Sequence, residues 1–211
     1  MRVVYLIVIG VLLVLSGCSS DPSQVLDASH RFSLSDDLPK RATYELIPTA
    51  STILWNTQTL SGQERSGFVA MDQGVMVIDD RQVISSTLLF DMKTFTISRG
   101  PFDLHVYMND YDYFDTYYYP DAKFSLRSIK PNGDGSYRLT GMLEIVDITR
   151  EVNFDADIYK KGKYFALAGT LEVDVIQWGI VQEQSTPYQE LGEEQIQDEL
   201  YFDIEWVFEK Q

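Results

Sequence analysis

One cysteine, two histidines and no run of positive charge exclude more chemistry than any motif in this chain suggests. The lone Cys18 rules out an intramolecular disulfide and removes the paired-cysteine zinc sites. Of the histidines, His30 lies in a polar N-terminal stretch and His105 in a segment whose alternation predicts a strand. His105 is therefore the one base available to a serine triad, and no Gly-x-Ser-x-Gly elbow accompanies any serine. An HExxH helix, a P-loop and a dinucleotide fingerprint are also missing. Lys and Arg number 17 against 32 Asp and Glu, a net charge of -15. Binding to a phosphate backbone needs a basic patch, so nucleic acid is not an expected partner. Neither a catalytic constellation nor a cofactor or metal is expected.

What is present begins with an apolar N-terminus. After Arg2, the run Val3 to Leu15 is uninterrupted but shorter than the roughly 20 residues that span a bilayer, so it reads as a signal-peptide core. It ends in Leu15-Ser16-Gly17-Cys18, which resembles the bacterial lipobox, where cleavage leaves an acylated cysteine at the new N-terminus. Two or more acyl chains give stable anchoring, so a lipidated Cys18 would hold the protein on a membrane. Ser19 rather than Asp follows the cysteine, a pattern that resembles outer-membrane export in enteric bacteria. The expected organisation is a signal peptide over 1–17, a lipidated cysteine and polar tether over 18–42, and one domain over 43–211. The expected place is the bacterial cell envelope, facing the periplasm or on the outer membrane.

A hydrophobic share of 45% and a charged share of 23% suit a packed domain, and 211 residues suit one rather than two. Within that domain the governing signal has period two. Tyr137, Leu139, Gly141, Leu143 and Ile145 share one face, with Arg138, Thr140, Met142 and Glu144 on the other. Val152, Phe154, Ala156 and Ile158 alternate with polar residues, as do Phe202, Ile204, Trp206 and Phe208. Turn signals fall at Asp72-Gln73-Gly74, Asp79-Asp80, Pro131 to Gly135 and Lys161-Gly162. Many short strands without a sustained helical period predict an all-β antiparallel sandwich or barrel. The polar stretch from Gln182 to Asp198 reads as a long loop or one holding a short helix.

The least strand-like segment is "NDYDYFDTYYYP", residues 109–120. Asn109 could cap a short helix with Tyr111, Phe114 and Tyr118 on one side. Asn109, Asp110, Asp112 and Asp115 superficially alternate like a calcium loop. The central glycine and terminal bidentate glutamate of an EF-hand are missing, so a solvated acidic face opposite buried aromatics is the reading adopted. Pro120 ends the segment, and Ala122, Phe124 and Leu126 then share one strand face.

Taken in order, these motifs resemble the YceI-like family of bacterial polyisoprenoid-binding, lipocalin-like proteins. The resemblance runs from "YELIPTASTILW" at Tyr44 through "GFVAMDQGVMVID", "LLFDMKTFTI" and "DYFDTYYYPDAKFSL". It continues through "YRLTGMLEIVDITREVNF" and "LEVDVIQWGI" to "IQDELYFDIEW", nearly the whole domain to Phe208. The chain departs from the family pattern at Tyr107-Met108, where a His-Leu pair is frequent, at Val175 in place of an Arg, and near Arg65-Ser66 in place of a His.

The resemblance implies an eight-stranded antiparallel lipocalin-like β-barrel with one or two short helices, enclosing an elongated apolar cavity. Residues expected along that cavity are Trp55, Leu88, Phe90, Phe102, Phe114 and Phe124 from the first half of the domain. Met142, Phe165, Trp178, Ile204 and Trp206 complete the set. A barrel filled by these same aromatics is the alternative, since side chains can occupy a small barrel completely. The partners implied are a hydrophobic lipid (polyisoprenoid or isoprenoid quinone) and a membrane through the N-terminal anchor. A homodimer is left open. In the alternative the protein is a packed scaffold that binds another envelope protein through its acidic, Tyr-rich surface.

Overall fold

A computed structural model describes residues 39–80, 82–181 and 186–211. The signal segment, Cys18, His30 and nearly all of the tether lie outside the described residues. The chain forms nine strands: β1 Arg41–Leu46, β2 Thr52–Gln58, β3 Glu64–Asp79, β4 Gln82–Arg99, β5 Asp121–Pro131, β6 Tyr137–Ile145, β7 Ile148–Lys161, β8 Tyr164–Asp174 and β9 Glu199–Lys210. Helix α1 is Phe102–Asn109 and helix α2 is Thr186–Glu190, with single 3-10 turns at Pro48–Ala50, Val175–Trp178 and Gly192–Glu194.

All strand pairs are antiparallel, and the sheet closes because β4 pairs with both β5 and β3. Nine strands fill only eight places in the barrel. β2 pairs with the first half of β3 (Leu54 with Phe68) and with β9 (Ile53 with Ile204). β1 pairs with the second half of β3 (Thr43 with Val77) and the end of β9 (Tyr44 with Lys210). The two strands thus occupy one position, divided by the turn at Pro48. Ser51 seals the break, its Oγ donating to the Ile47 carbonyl (2.9 Å) and accepting from the Val207 amide (3.0 Å). Ile47 and Ala50 also cover Val207, Ala166 and Tyr159, a small apolar cluster on the outside of the barrel.

The alternation predicted for β6, β7 and β9 places its apolar face inward. Leu139, Leu143, Phe154, Ile158, Ile204 and Trp206 are all buried, while Arg138, Asn153 and Asp203 face solvent. Ala122, Phe124 and Leu126 on β5 follow the same rule. The hairpin turns at Asp79-Asp80, Pro131 to Gly135 and Lys161-Gly162 are present; Asp80 (φ 46) and Gly162 (φ 60) take the left-handed backbone that such turns use. The stretch from Gln182 contains α2 and a 3-10 turn, the helical option for that loop.

Four local expectations are corrected. Asp72-Gln73-Gly74 is not a turn: β3 runs straight through it, absorbing the irregularity as a register shift between Met71 and Gln73. Gly74 suits close packing there, because a Cβ would come within 2.4 Å of Leu88 Cδ2 on β4 and that side chain would have to shift. His105 is helical, not in a strand. Phe102, Leu104, Val106 and Met108 alternate in sequence, but the buried residues are Leu104, Tyr107 and Met108, the three- and four-residue spacing of a helix. Consequently Asn109 ends a helix instead of capping one, and residues 110–119 are turns. Tyr111 and Tyr118 lie exposed while Phe114 is buried, so the three do not share a side.

A capped apolar cavity

The inner faces of β2, β3, β4, β5, β6, β8 and β9 converge on a cavity toward the α1 end of the barrel. Every residue lining it is apolar, and its volume is about 40 Å³. That is room for little more than one small group, far below the roughly 300–1,000 Å³ of drug-sized ligand pockets. Ile53, Val69, Met92, Ala122, Leu143 and Leu171 supply aliphatic wall, and Phe90, Phe114, Phe202 and Trp206 supply rings.

Phe114 enters the cavity from the cap, where a ladder of rings joins the barrel wall to both helices. Trp55 stacks on Phe95 at 5.0 Å, and Phe95 meets the edge of Phe114 at 5.0 Å. Phe114 then packs perpendicular to Tyr113 at 4.6 Å. Tyr113 contacts Tyr107 of α1 at 5.4 Å, and Tyr107 contacts Tyr188 of α2 at 5.8 Å. Each such contact contributes about 0.5–1.5 kcal/mol beyond the area it buries, so the cap is held mainly by aromatic packing. A polar latch reinforces it: Arg65, buried at the start of β3, donates from Nε to Glu194 Oε2 at 2.7 Å. Further Arg65 bonds reach the Glu64 carbonyl (2.8 Å) and Gln63 Oε1 (3.0 Å), satisfying the guanidinium.

Burial is the main cause that raises the Tyr113 phenol well above its ordinary 10, with the charges of Tyr107, Asp198 and Tyr188 adding to it. Its hydroxyl has no hydrogen-bond partner among the described residues. A raised folded-state pKa keeps its stabilisation below the unfolded value of about 10 and loses it as pH climbs past that value. Tyr113→Phe should therefore gain about 1 kcal/mol at neutral pH, by removing an unpartnered buried hydroxyl, and should show a shallower stability decline above about pH 10. Chemical denaturation across that pH range checks both; a loss of stability at neutral pH would contradict them.

The expected cavity residues divide three ways. Phe90, Phe114, Ile204 and Trp206 line the cavity. Trp55, Leu88, Phe124, Phe165 and Trp178 are buried but pack elsewhere. Phe124 backs Trp206 at 5.3 Å, and Phe165 sits between Tyr44 and Phe208, outside the cavity. Trp55 donates to the Thr96 carbonyl (3.0 Å) and Trp178 to the Leu143 carbonyl (3.3 Å). Met142 and Phe102 are corrections. Met142 sits half-buried on the outer phase of β6 with Arg138 and Thr140, as strict alternation from Leu139 requires. Phe102 is 75% exposed at the first turn of α1. Most cavity residues absent from the expected set, such as Val69, Ala122, Leu143 and Leu171, are small or aliphatic, and Phe202 is the one ring among them. Alternation put Ala122, Leu143 and Phe202 on apolar strand faces, but it does not say which inward residues border a void.

The acidic-aromatic segment splits. Tyr113 and Phe114 point in, while Tyr111, Tyr117 and Tyr118 are 68%, 83% and 73% exposed. Tyr117 and Tyr118 pack edge to face at 5.0 Å. Asp110 Oδ1 accepts from the Tyr111 amide (2.8 Å), and Asp115 takes a left-handed backbone (φ 44) that Asp tolerates better than most residues. Among the described residues no group of three or more His, Cys, Asp or Glu side chains is placed to hold a metal ion.

The model of the YceI-like domain matches residues 44–208, from β1 to the end of the barrel. The chain belongs to the YceI-like family. A UPF0312 protein of Pseudomonas putida is 31% identical over 85 residues, 40% of this chain and 44% of that protein. The chain thus spans less than half the length of the curated relatives it matches. Among solved structures, BcnA of Burkholderia cenocepacia superposes with a TM-score of 0.60 at 17% identity, over 77% of this chain and 98% of that one. A polyisoprenoid binding domain from Saccharophagus degradans superposes with a TM-score of 0.62 at 13% identity, over 81% and 99%. At such identities the likeness is one of fold. This YceI-like barrel puts three of its departures from the family pattern in or beside the cap: Tyr107 and Met108 are buried on α1, Val175 is buried in the turn after β8, and Arg65 forms the latch.

Proposed function

We propose that this protein is a cell-envelope lipoprotein that holds a hydrophobic chain, an isoprenoid-like or quinone-like lipid, inside its barrel for sequestration or transport. The observation that carries this reading is the wholly apolar lining of a cavity inside a closed barrel. A similar barrel, that of Saccharophagus degradans, is described as a polyisoprenoid binding domain, which supports the same ligand class here. Burying each methylene contributes about 0.8 kcal/mol, so a long chain needs no directed polar chemistry to bind. A cavity of about 40 Å³ must widen to admit one, and the aromatic cap is the element positioned to move. The role is binding rather than catalysis, and Cys18 supplies the anchor.

Organic extraction of the purified full-length protein, followed by mass spectrometry, should yield about one lipid per chain. Protein that is lipid-free and takes up no isoprenoid lipid from vesicles would overturn the reading. Cys18→Ala should abolish acylation and release the protein from the membrane fraction; continued lipid labelling of that variant would remove the anchor from the proposal.

A second reading is favoured by the exposed Tyr111, Tyr117 and Tyr118 among carboxylates. Here the barrel is a scaffold and this surface binds another envelope protein, tyrosine being enriched at interfaces. A lipid-free protein that loses a co-purifying partner on Tyr117→Ser with Tyr118→Ser would select it.

A further inference from the structure

The chain has three tryptophans and all are buried, yet only two have their indole N–H satisfied. Trp55 donates to the Thr96 carbonyl at 3.0 Å and Trp178 to the Leu143 carbonyl at 3.3 Å. Trp206, 1% exposed on β9, has no acceptor for Nε1–H among the described residues. It is also the one tryptophan that lines the cavity. None of the side chains lining that cavity carries an oxygen or nitrogen acceptor, and the rings around Trp206 are Phe90, Phe124 and Phe154. An indole N–H is a donor only, and burying it unpaired is unfavourable. Apolar ligand pockets characteristically carry a few polar groups that fix the ligand's orientation.

We propose that Trp206 Nε1–H is the hydrogen-bond donor for an uncharged oxygen acceptor, a carbonyl, carried by the bound lipid. Resting on the lipid-binding reading above, this makes Trp206 a specificity-determining residue that selects acceptor-bearing chains over plain hydrocarbons. A charged headgroup does not fit the same place, because the apolar lining offers it no counter-charge and desolvating a charge is costly. The donor therefore selects a neutral carbonyl group joined to an apolar tail.

The test uses the full-length protein, 15N-labelled at the indoles, with two probes: ubiquinone-2, whose ring carbonyls carry a two-isoprene tail, and the hydrocarbon farnesene. Ubiquinone-2 should move the Trp206 indole proton resonance downfield and leave those of Trp55 and Trp178 in place. Farnesene should bind without that downfield shift. In Trp206→Phe the preference for ubiquinone-2 over farnesene should fall about fivefold, the size of one neutral hydrogen bond. Ubiquinone-2 binding with the Trp206 resonance unmoved, as when the N–H points at the Phe154 ring, overturns the proposal. So does a variant that loses affinity for both probes equally. If neither probe binds, the lipid-binding reading falls and takes this inference with it.

Discussion

Gly67→Ala should destabilise the barrel by about 3–4 kcal/mol and lower its melting temperature by roughly 10 °C. Gly67 lies on β3 beside a register shift that separates Ser66, paired with Arg99, from Gly67, paired with Ile97. The strands come so close there that a Cβ at position 67 would overlap the Thr96 carbonyl oxygen and lie 2.7 Å from Trp55 Nε1. The severest overlap is with the Thr96 carbonyl, which is backbone and cannot swing aside like a flexible side chain. The same carbonyl accepts the Trp55 indole, and Trp55 starts the ring ladder to the cap, so the damage spreads from strand pairing to the lid. Gly133→Ala is the informative control. It sits in an open hairpin turn with nothing within 4 Å of a Cβ, and only its φ of +92 opposes a side chain. Its cost should be nearer 1 kcal/mol. Thermal unfolding of both variants decides the matter, and equal losses would mean that the approach of β3 to β4 is not the limiting contact.

Val69→Phe should reduce lipid recovered by extraction at least tenfold while leaving a folded barrel. Val69 is buried on β3 and lines the cavity, so a ring placed there occupies the space any chain must enter. The substitution overfills a cavity of about 40 Å³, which costs about 1–3 kcal/mol, too little to unfold a typical domain. Val75→Phe, on the same strand but 42% exposed, adds the same ring to the outer surface and should change neither stability nor lipid content appreciably. Retention of lipid by the Val69 variant would place the ligand outside this cavity.

Legibility in the sequence followed the range of the interaction that decided each feature. On β6 burial alternates strictly along the strand, and on β7 polar and apolar residues alternate from Val152 to Ile158, so the strand phase read from them is the phase observed. Alternation failed at α1, where Leu104, Val106 and Met108 carry period two by coincidence. Pro101 at the N-cap and Asp103 in the first turn were the quieter helical signals. The turn signal at Asp72-Gln73-Gly74 failed for a different reason: a glycine in a tight strand-to-strand approach looks the same in sequence as a glycine in a turn. Met142 was misplaced by overriding the alternation that already put it outside.

By itself the sequence determined the phases of β5, β6, β7 and β9, three of the hairpin turns and the family, because each depends on residues adjacent in the chain or on an ordered series of motifs. Only the tertiary structure decided that β1 and β2 share one place in the barrel, since that requires β3 and β9 to be long enough to pair with both. It alone decided which buried rings line the cavity and how small that cavity is, because both depend on how side chains from seven strands and the cap meet. The three tryptophans show the difference most plainly. All three could be read as buried, but which indole lacks an acceptor depends on carbonyl groups tens of residues away in the chain, brought near only by closure of the barrel.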